Sequence, residues 1–447
     1  MIKTVSKRLD KQSKTLFKNS FWVLFSNSFG AGMTFIRSIV IARGLGAELY
    51  GIFAVMTAFI VTIQAILNLN LGAVVIRFGS KYKTDGEINK LVSLIKVCTF
   101  ASAVAASLVV VVIGVLILFS YDSFIKTPGL GWYALFFAVG NSGTYFANVS
   151  RGALRLYYKF KANAKAQMLM DVAEVVLIIL ALFFYPKNMY VFLVAVIISK
   201  LVFTMVPVIN AYKELYPELR DHIGSPMRLI QSEFKSIWQF TFKNSISQTM
   251  QSLINMGDVL LIGLWVGNPT QAGFYNVGKK MAFAILTITG PLANSIYPQL
   301  CLLYADKQIA AIKKMIIKLS VLASIPATLF MLVAFFFNQI IMTTVFGSEY
   351  LEAGEPFYIL TAAALISAVF FWIHPLLQAL DLLAFRIRIY GIAIITGLVV
   401  AWFLVPKIGS SGMAVALIFI NVIIPLFSTY YIFKKLRISE SEINHPV

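Results

Sequence analysis

Twelve apolar stretches, each about long enough to cross a bilayer as a helix, run through this chain, and the second six repeat the spacing of the first six. They fall at 19–42, 49–72, 92–119, 130–150, 166–184, 189–210, 238–266, 272–297, 316–338, 356–380, 389–405 and 411–433. A shift of 225 positions lays the Phe-Lys-Asn-Ser of 17–20 on that of 242–245. It also matches Ala47 with Ala272, Tyr50 with Tyr275, Met56 with Met281 and Leu67 with Leu292. In hydrocarbon every backbone polar group needs an internal partner, so only helices and closed barrels span a membrane. Uninterrupted apolar runs of this length are helical, not the short alternating strands of a barrel. The expectation is an all-α polytopic membrane protein: 12 transmembrane helices in two pseudo-symmetric six-helix bundles. The bundles are placed at 1–210 and 238–447, joined by a linker at 211–237 in which 232–240 is expected to form an interfacial helix. Two similar bundles in one membrane protein are the architecture of a transporter that moves about a central site.

Composition agrees. Hydrophobic residues make up 59% of the chain and charged residues 13%, with mean hydropathy +0.82, far from a soluble domain, about a quarter of which is charged. The net charge of +19 invites a nucleic-acid reading, but its distribution argues otherwise. Twenty-eight Lys and Arg fall in the N-terminal segment, the even-to-odd loops and the tail, against four (Arg43, Lys126, Lys187, Lys407) on the other side. Positive charge in short loops marks the cytoplasmic face, so both termini are expected there and no nucleic-acid partner is implied. The opposite loops are too short for a catalytic domain. The basic N-terminus leads into a full-length span and is read as a retained helix. Cys98 and Cys301 are read as small hydrophobes, with no disulfide framework and no metal site. A glycine-rich phosphate loop, metal-ligand spacing and a serine nucleophile elbow are missing from the sequence, so no enzyme activity and no cofactor are expected.

Charges within spans are costly and mark function or pairing. Lys96 and Lys243 lie near span ends and are read as snorkelling. Arg37 in span 1, Lys200 in span 6, and Lys279 and Lys280 in span 8 lie deeper. Asp171 and Glu174 share one face of span 5, and Glu174 reaches the depth of Lys200. Asp258 in span 7 lies at the depth of Lys279 and Lys280, which point about 100° apart on one helix. Pairs Glu174–Lys200 and Asp258 with one lysine are expected. Arg37 is left without an evident partner and is expected to face a central cavity with Lys279 or Lys280, where an anionic substrate supplies the missing charge. Asp171, Glu174 and Asp258 are candidate ion-coupling residues or structural ion pairs. Asn27, Gln248, Gln251, Asn255 and His374 are candidate cavity polar groups, with Gln248, Gln251 and Asn255 on an i, i+3, i+7 stripe. His374 precedes Pro375 in span 10, with Gln378 and Asp381 further on; the cluster reads as a proton relay or as a stabiliser of a proline kink.

Residues Ile41-Ala-Arg-Gly-Leu-Gly-Ala-Glu-Leu-Tyr-Gly51 resemble the loop signature of bacterial O-antigen and capsule repeat-unit flippases, with Arg43, Leu45, Gly46, Tyr50 and Gly51 at its fixed positions. Leu71-Gly72 with Arg77, and the echo Val266-Gly267 then Gly273-Phe274-Tyr275, extend the resemblance. This family lies within the multidrug/oligosaccharidyl-lipid/polysaccharide exporter superfamily. The resemblance implies two bundles in a V around a cationic central cavity. It implies a flippase moving an undecaprenyl-diphosphate-linked oligosaccharide from the cytoplasmic to the periplasmic leaflet of the bacterial inner membrane, for O-antigen, lipopolysaccharide or other polysaccharide biosynthesis. Arg37, Lys200, Lys279 and Lys280 would be the substrate-binding cations. Coupling to H⁺ or Na⁺, as an antiporter, and partnership with membrane lipid, a polysaccharide polymerase and chain-length machinery belong to the same expectation. Rival readings are a cation-coupled multidrug exporter, which would want exposed carboxylates, a membrane-embedded polymerase or glycosyltransferase, and a scaffold for the assembly machinery.

Overall fold

The computed structural model of the protein describes residues 2–124, 130–380 and 382–444, with side chains over most of 22–436. The N-terminal basic side chains up to Lys18, and those of Lys126, Asp381 and Arg437, lie outside the described side chains. Every regular element among the described residues is helical. The first half holds α1 (Ile2–Leu45), α2 (Ala47–Ile66), α3 (Leu71–Thr84), α4 (Ile88–Phe124), α5 (Gly131–Leu156), α6 (Phe160–Phe184), α7 (Met189–Phe203) and α8 (Val206–Leu219). The second holds α9 (Phe234–Val266), α10 (Pro269–Ala282), α11 (Leu286–Ala305), α12 (Ile309–Phe346), α13 (Gly354–Val369), α14 (Ile373–Ala379) and α15 (Leu383–Asn444). Eight stretches of the described residues are long and apolar enough to cross a membrane, and the last, Ala384–Leu436, is 53 residues long and takes in spans 11 and 12. The protein is an all-α polytopic membrane protein.

Several expected spans are broken helices. Span 2 stops after Ile66 and restarts at Leu71 through Asn70, which sits at φ 43°. The Asn68 side chain accepts from the Asn70 N–H at 2.8 Å, a local turn that competes with the helix ladder. Span 8 passes through a 3₁₀ turn at Phe283–Ile285, and span 10 is interrupted between Val369 and Ile373. The expected loop at 406–410 shrinks to two non-helical residues, Ile408 and Gly409. Asparagines start the helices that follow two of the reversals. Asn188 Oδ1 accepts from Tyr190 N and Val191 N at 3.1 Å, and Asn268 Oδ1 from Thr270 N at 3.0 Å, satisfying donors that a helix start leaves open.

The duplication is visible in these reversals, in a register the sequence identities missed. Asp85 N to Lys81 O, Gly86 N to Lys83 O, Glu87 N to Tyr82 O and Ile88 N to Gly86 O recur as Asp306 N to Leu302 O, Lys307 N to Tyr304 O, Gln308 N to Leu303 O and Ile309 N to Lys307 O. Every bond is displaced by 221 positions. Left-handed residues pair at the same displacement, Gly46 with Gly267 and Gly86 with Lys307, and one position further on for Lys187 with Gly409. The Tyr50–Tyr275 and Ala47–Ala272 matches at 225 are therefore not equivalent positions. A slip of four is about one helical turn, so it leaves every apolar face in phase and a hydrophobic profile cannot detect it.

The chain forms two compact units, Met1–Gly44 with Phe59–Thr249, and Leu45–Ala58 with Met250–Val447. The first packs Val74, Tyr82, Leu91, Leu94 and Leu154 in one buried cluster. That cluster includes Leu215, Ile230 and Ile237 from the connecting segment. The segment is pinned to α4, because Ser93 Oγ donates to Pro226 O and Lys96 Nζ to Ser225 O, each at 2.9 Å. So Lys96 is held by a backbone carbonyl, and the helix expected over 232–240 is the first turns of α9, entered through a 3₁₀ turn at Met227–Glu233. In the second unit Leu300, Ile312, Ile316 and Leu376 centre a core cluster.

The start of α2 belongs to the second unit for a backbone reason. A Cβ on Gly51 would lie 1.8 Å from Pro269 O, and one on Gly273 would lie 2.5 Å from Ala47 O. The first turns of α2 and α10 thus cross backbone on backbone. Gly46 (φ 80°) ends α1. The Glu349 carboxylate lies over it, 2.4 Å from where a Cβ would sit, and accepts the Ala47 N–H at 3.0 Å. Tyr50 is fully buried against Tyr350.

Candidate functional site

In the first unit α1, α6 and α7 bring Arg37, Glu174 and Lys200 together. Arg37 Nη1 lies 2.7 Å from Glu174 Oε2, and Lys200 Nζ lies 3.0 Å from Glu174 Oε1. The expected Glu174–Lys200 pair is present. Arg37, however, is not without a local partner: it takes the other carboxylate oxygen. Nothing in the sequence announces this bond, because spans 1 and 5 are far apart in the chain and depth alone does not say which helices touch. Gly140 allows the approach of α7, since a Cβ there would stand 3.1 Å from Lys200 Cβ. One turn along α6, Asp171 Oδ1 accepts from Gln167 Nε2 at 2.9 Å, and Gln167 Oε1 accepts from Arg151 Nη2 at 3.1 Å. Asp171 Oδ2 is buried with no hydrogen-bond partner among the described residues. Three cations and two carboxylates make up the network. Glu174 is 12% exposed, so its charge depends on these partners.

In the second unit Asp258 on α9 pairs with Lys279 on α10. The carboxylate also accepts from Tyr275 Oη at 2.6 Å and from Val259 N at 2.8 Å. Lys279 Nζ donates to Asn255 O at 2.7 Å. Lys280 turns the other way, as its 100° offset requires, and donates to the Tyr50 hydroxyl at 3.0 Å, which Asn276 Nδ2 also reaches at 3.2 Å. Asp258 stands nine residues before Gly267, as Arg37 stands nine before Gly46. The two halves thus carry opposite charges at equivalent places.

A cavity of about 540 Å³ opens inside this unit, lined by Asn255, Asn276, Lys279 and Lys280 on one side and by Ser367, His374 and Asn421 on the other. A second of about 430 Å³ shares Gln251, Ser367 and His374 with it and adds Gln378. Of the candidate polar groups, Gln251, Asn255 and His374 line the cavity, whereas Gln248 and Asn27 are exposed on their helices. Arg386, counted as a loop charge in the sequence, is buried. Its Nη2 donates to Gln251 Oε1 at 3.2 Å and its guanidinium lies 5.0 Å from the Tyr390 ring centre. Tyr390, one turn along α15, was the signal that could have found it. No cluster among the described residues has the ligand set for a metal ion.

A site of this kind can hold an anion against fixed cations and amide donors, with aromatic walls from Phe283, Phe370 and Phe371. Among known proteins, Agl15 of Haloferax volcanii, a probable low-salt glycan biosynthesis flippase, is 22% identical over 408 residues, covering 90% of this chain and 80% of that protein. The lipid II flippase MurJ in an inward closed conformation matches with TM-score 0.66 and 12% identity over 93% of this chain and 87% of its own. An inward-facing multidrug resistance MATE family transporter of the MOP superfamily matches with TM-score 0.65 and 14% identity over 92% and 95%. These two likenesses show the fold. The family described as polysaccharide biosynthesis protein matches residues 16–301, well over half of the chain, and the chain belongs to that family.

Proposed function

We propose that this protein translocates a lipid-linked glycan across the membrane, with an undecaprenyl diphosphate carrier and an O-antigen or capsule repeat unit as cargo. The observation that carries the reading is the first unit's ionic network. Arg37 and Lys200 divide one carboxylate between them, and with Arg151 and Asp171 the network keeps a net positive charge inside spanning helices. A diphosphate brings about two negative charges that such a network can accept. Family membership and the glycan flippase named among the relatives support the same reading. The multidrug alternative calls for carboxylates open to an organic cation, but Glu174 and Asp258 are both held by cations.

The proposed cycle is alternating access of the two halves, 1–210 and 238–447, with the polyprenyl tail left in lipid. Both termini lie in the cytoplasm of a bacterium bounded by an inner membrane. Asp171, with one buried carboxylate oxygen lacking a partner among the described residues, is the proposed proton or Na⁺ acceptor. A polymerase and its chain-length machinery would act on the product. Deletion in the native host tests the reading: lipid-linked glycan should accumulate on the face where it is assembled. Normal distribution between the leaflets after deletion, with other flippases absent, would overturn it.

A further inference from the structure

We infer that a pocket in the first unit, between the ends of α3 and α5 and the start of α6, binds the phosphate-ester headgroup of a lipid at the Lys/Arg-rich membrane face. The inference deepens the transport reading and rests on it for the occupant, the diphosphate of the lipid-linked glycan before translocation.

The pocket is about 590 Å³ and is lined by Ile76, Ser80, Lys83, Arg155, Tyr158 and Phe160, among others. No carboxylate lines it. The acids on α8, Glu214 and Glu218, stand outside the lining and pair with Lys159 at 3.4 and 3.8 Å, and Glu218 acts on Lys83 through space without an ion pair to it among the described residues. Lys83 Nζ is placed by the Leu156 carbonyl at 3.3 Å and by the Tyr157 ring, 3.7 Å from its centre. Those contacts hold the ammonium without neutralising it. Arg155 is exposed, and its guanidinium has no ion pair or hydrogen bond among the described residues. A planar guanidinium beside a fixed ammonium is the donor set that suits a phosphate. The 25-residue α6 begins here with no side-chain cap on its first turn, so its open N–H groups add positive potential. The Ser80 and Thr84 hydroxyls donate to their own helix, to Ile76 O and Ser80 O, which leaves recognition to the cations.

The location fits a lipid rather than a soluble anion. Tyr158 is 64% exposed at the pocket rim, the position of an aromatic at the membrane interface. From the pocket α6 descends with Leu169, Val176, Leu180 and Phe183 exposed, a surface that hydrocarbon covers. Headgroup charge and tail therefore meet their partners at matching depths.

The test uses the full chain, purified into phosphatidylcholine nanodiscs, with undecaprenyl diphosphate, phosphatidylglycerol or inorganic pyrophosphate as probes. Wild type should bind undecaprenyl diphosphate, and Arg155→Gln should weaken it by about tenfold or more, the loss of one charge-assisted hydrogen bond. Arg228→Gln, which removes an exposed charge outside the pocket, should not. Equal weakening by both variants would reduce the effect to surface potential and overturn the site. Arg155-dependent binding of phosphatidylglycerol alone would keep a phosphate site and overturn its link to the glycan lipid. Binding only of free pyrophosphate would overturn the lipid assignment. Arg155-dependent binding of undecaprenyl diphosphate in a protein that moves no glycan would keep this site and remove the transport reading.

Discussion

Replacing Gly51 with alanine should destabilise the protein more than any other single-methyl insertion in its helices. The added Cβ would stand 1.8 Å from Pro269 O and 2.5 Å from Pro269 C, against about 3.4 Å for ordinary contact. Both atoms are backbone, so no side chain can turn away. The first turns of α2 and α10 must separate, and the Lys280 and Asn276 bonds to Tyr50, one residue before Gly51, separate with them. Overpacking of this kind costs about 1–3 kcal/mol or more, against roughly 0.5–1 kcal/mol that alanine returns in helix propensity. The net loss is therefore up to about 2.5 kcal/mol, and a Cβ this close to backbone puts it toward the upper end. Gly257 in α9 is the control, because nothing lies within 4 Å of its Cβ position, and alanine there should be neutral or stabilising. Thermal unfolding in detergent, followed by tryptophan fluorescence, reads both. Gly51→Ala with Gly273→Ala should fall short of additivity, since one separation relieves both clashes. Unchanged thermal stability of Gly51→Ala would refute the backbone-contact argument.

Glu174→Gln leaves Arg37 and Lys200 without a shared counter-charge and should cost about 3–5 kcal/mol, the range for breaking a buried pair. Adding Lys200→Met should recover part of that loss, measured by the same unfolding assay; no recovery would mean the carboxylate matters for packing alone. Asp258→Lys and Lys279→Asp should each lower membrane yield. The exchanged double variant should recover only partly, because Tyr275 Oη and Val259 N also donate to Asp258. A yield for Asp258→Lys equal to wild type would show that the pair is dispensable.

The helical class and both expected ion pairs were legible in the sequence, because hydropathy and depth along a span suffice for them. The second bond on Glu174 was not, since Arg37 and Glu174 lie on helices whose contact nothing local encodes. The motif at 41–51 could be matched but not explained. Gly46 matters because Glu349, 302 residues after Ala47, reaches over it to accept that residue's N–H, and Gly51 because another backbone occupies the space of its side chain. The break at Phe283–Ile285 interrupts a run of apolar residues without a proline or glycine in it, so no local signal announces it. Arg386 reads as a loop charge because it stands two residues before Arg388 near a span boundary, and nothing local encodes its bond to Gln251.

The most direct measurement is translocation by purified protein in vesicles loaded with a fluorescent undecaprenyl-diphosphate-linked oligosaccharide, read by accessibility to an external glycosidase. Wild type should expose the glycan in a protein-dependent way and Arg37→Ala should not, while both insert equally and neither moves an organic cation such as ethidium. Turnover by Arg37→Ala equal to wild type, or transport of ethidium in place of the glycan lipid, would contradict the account.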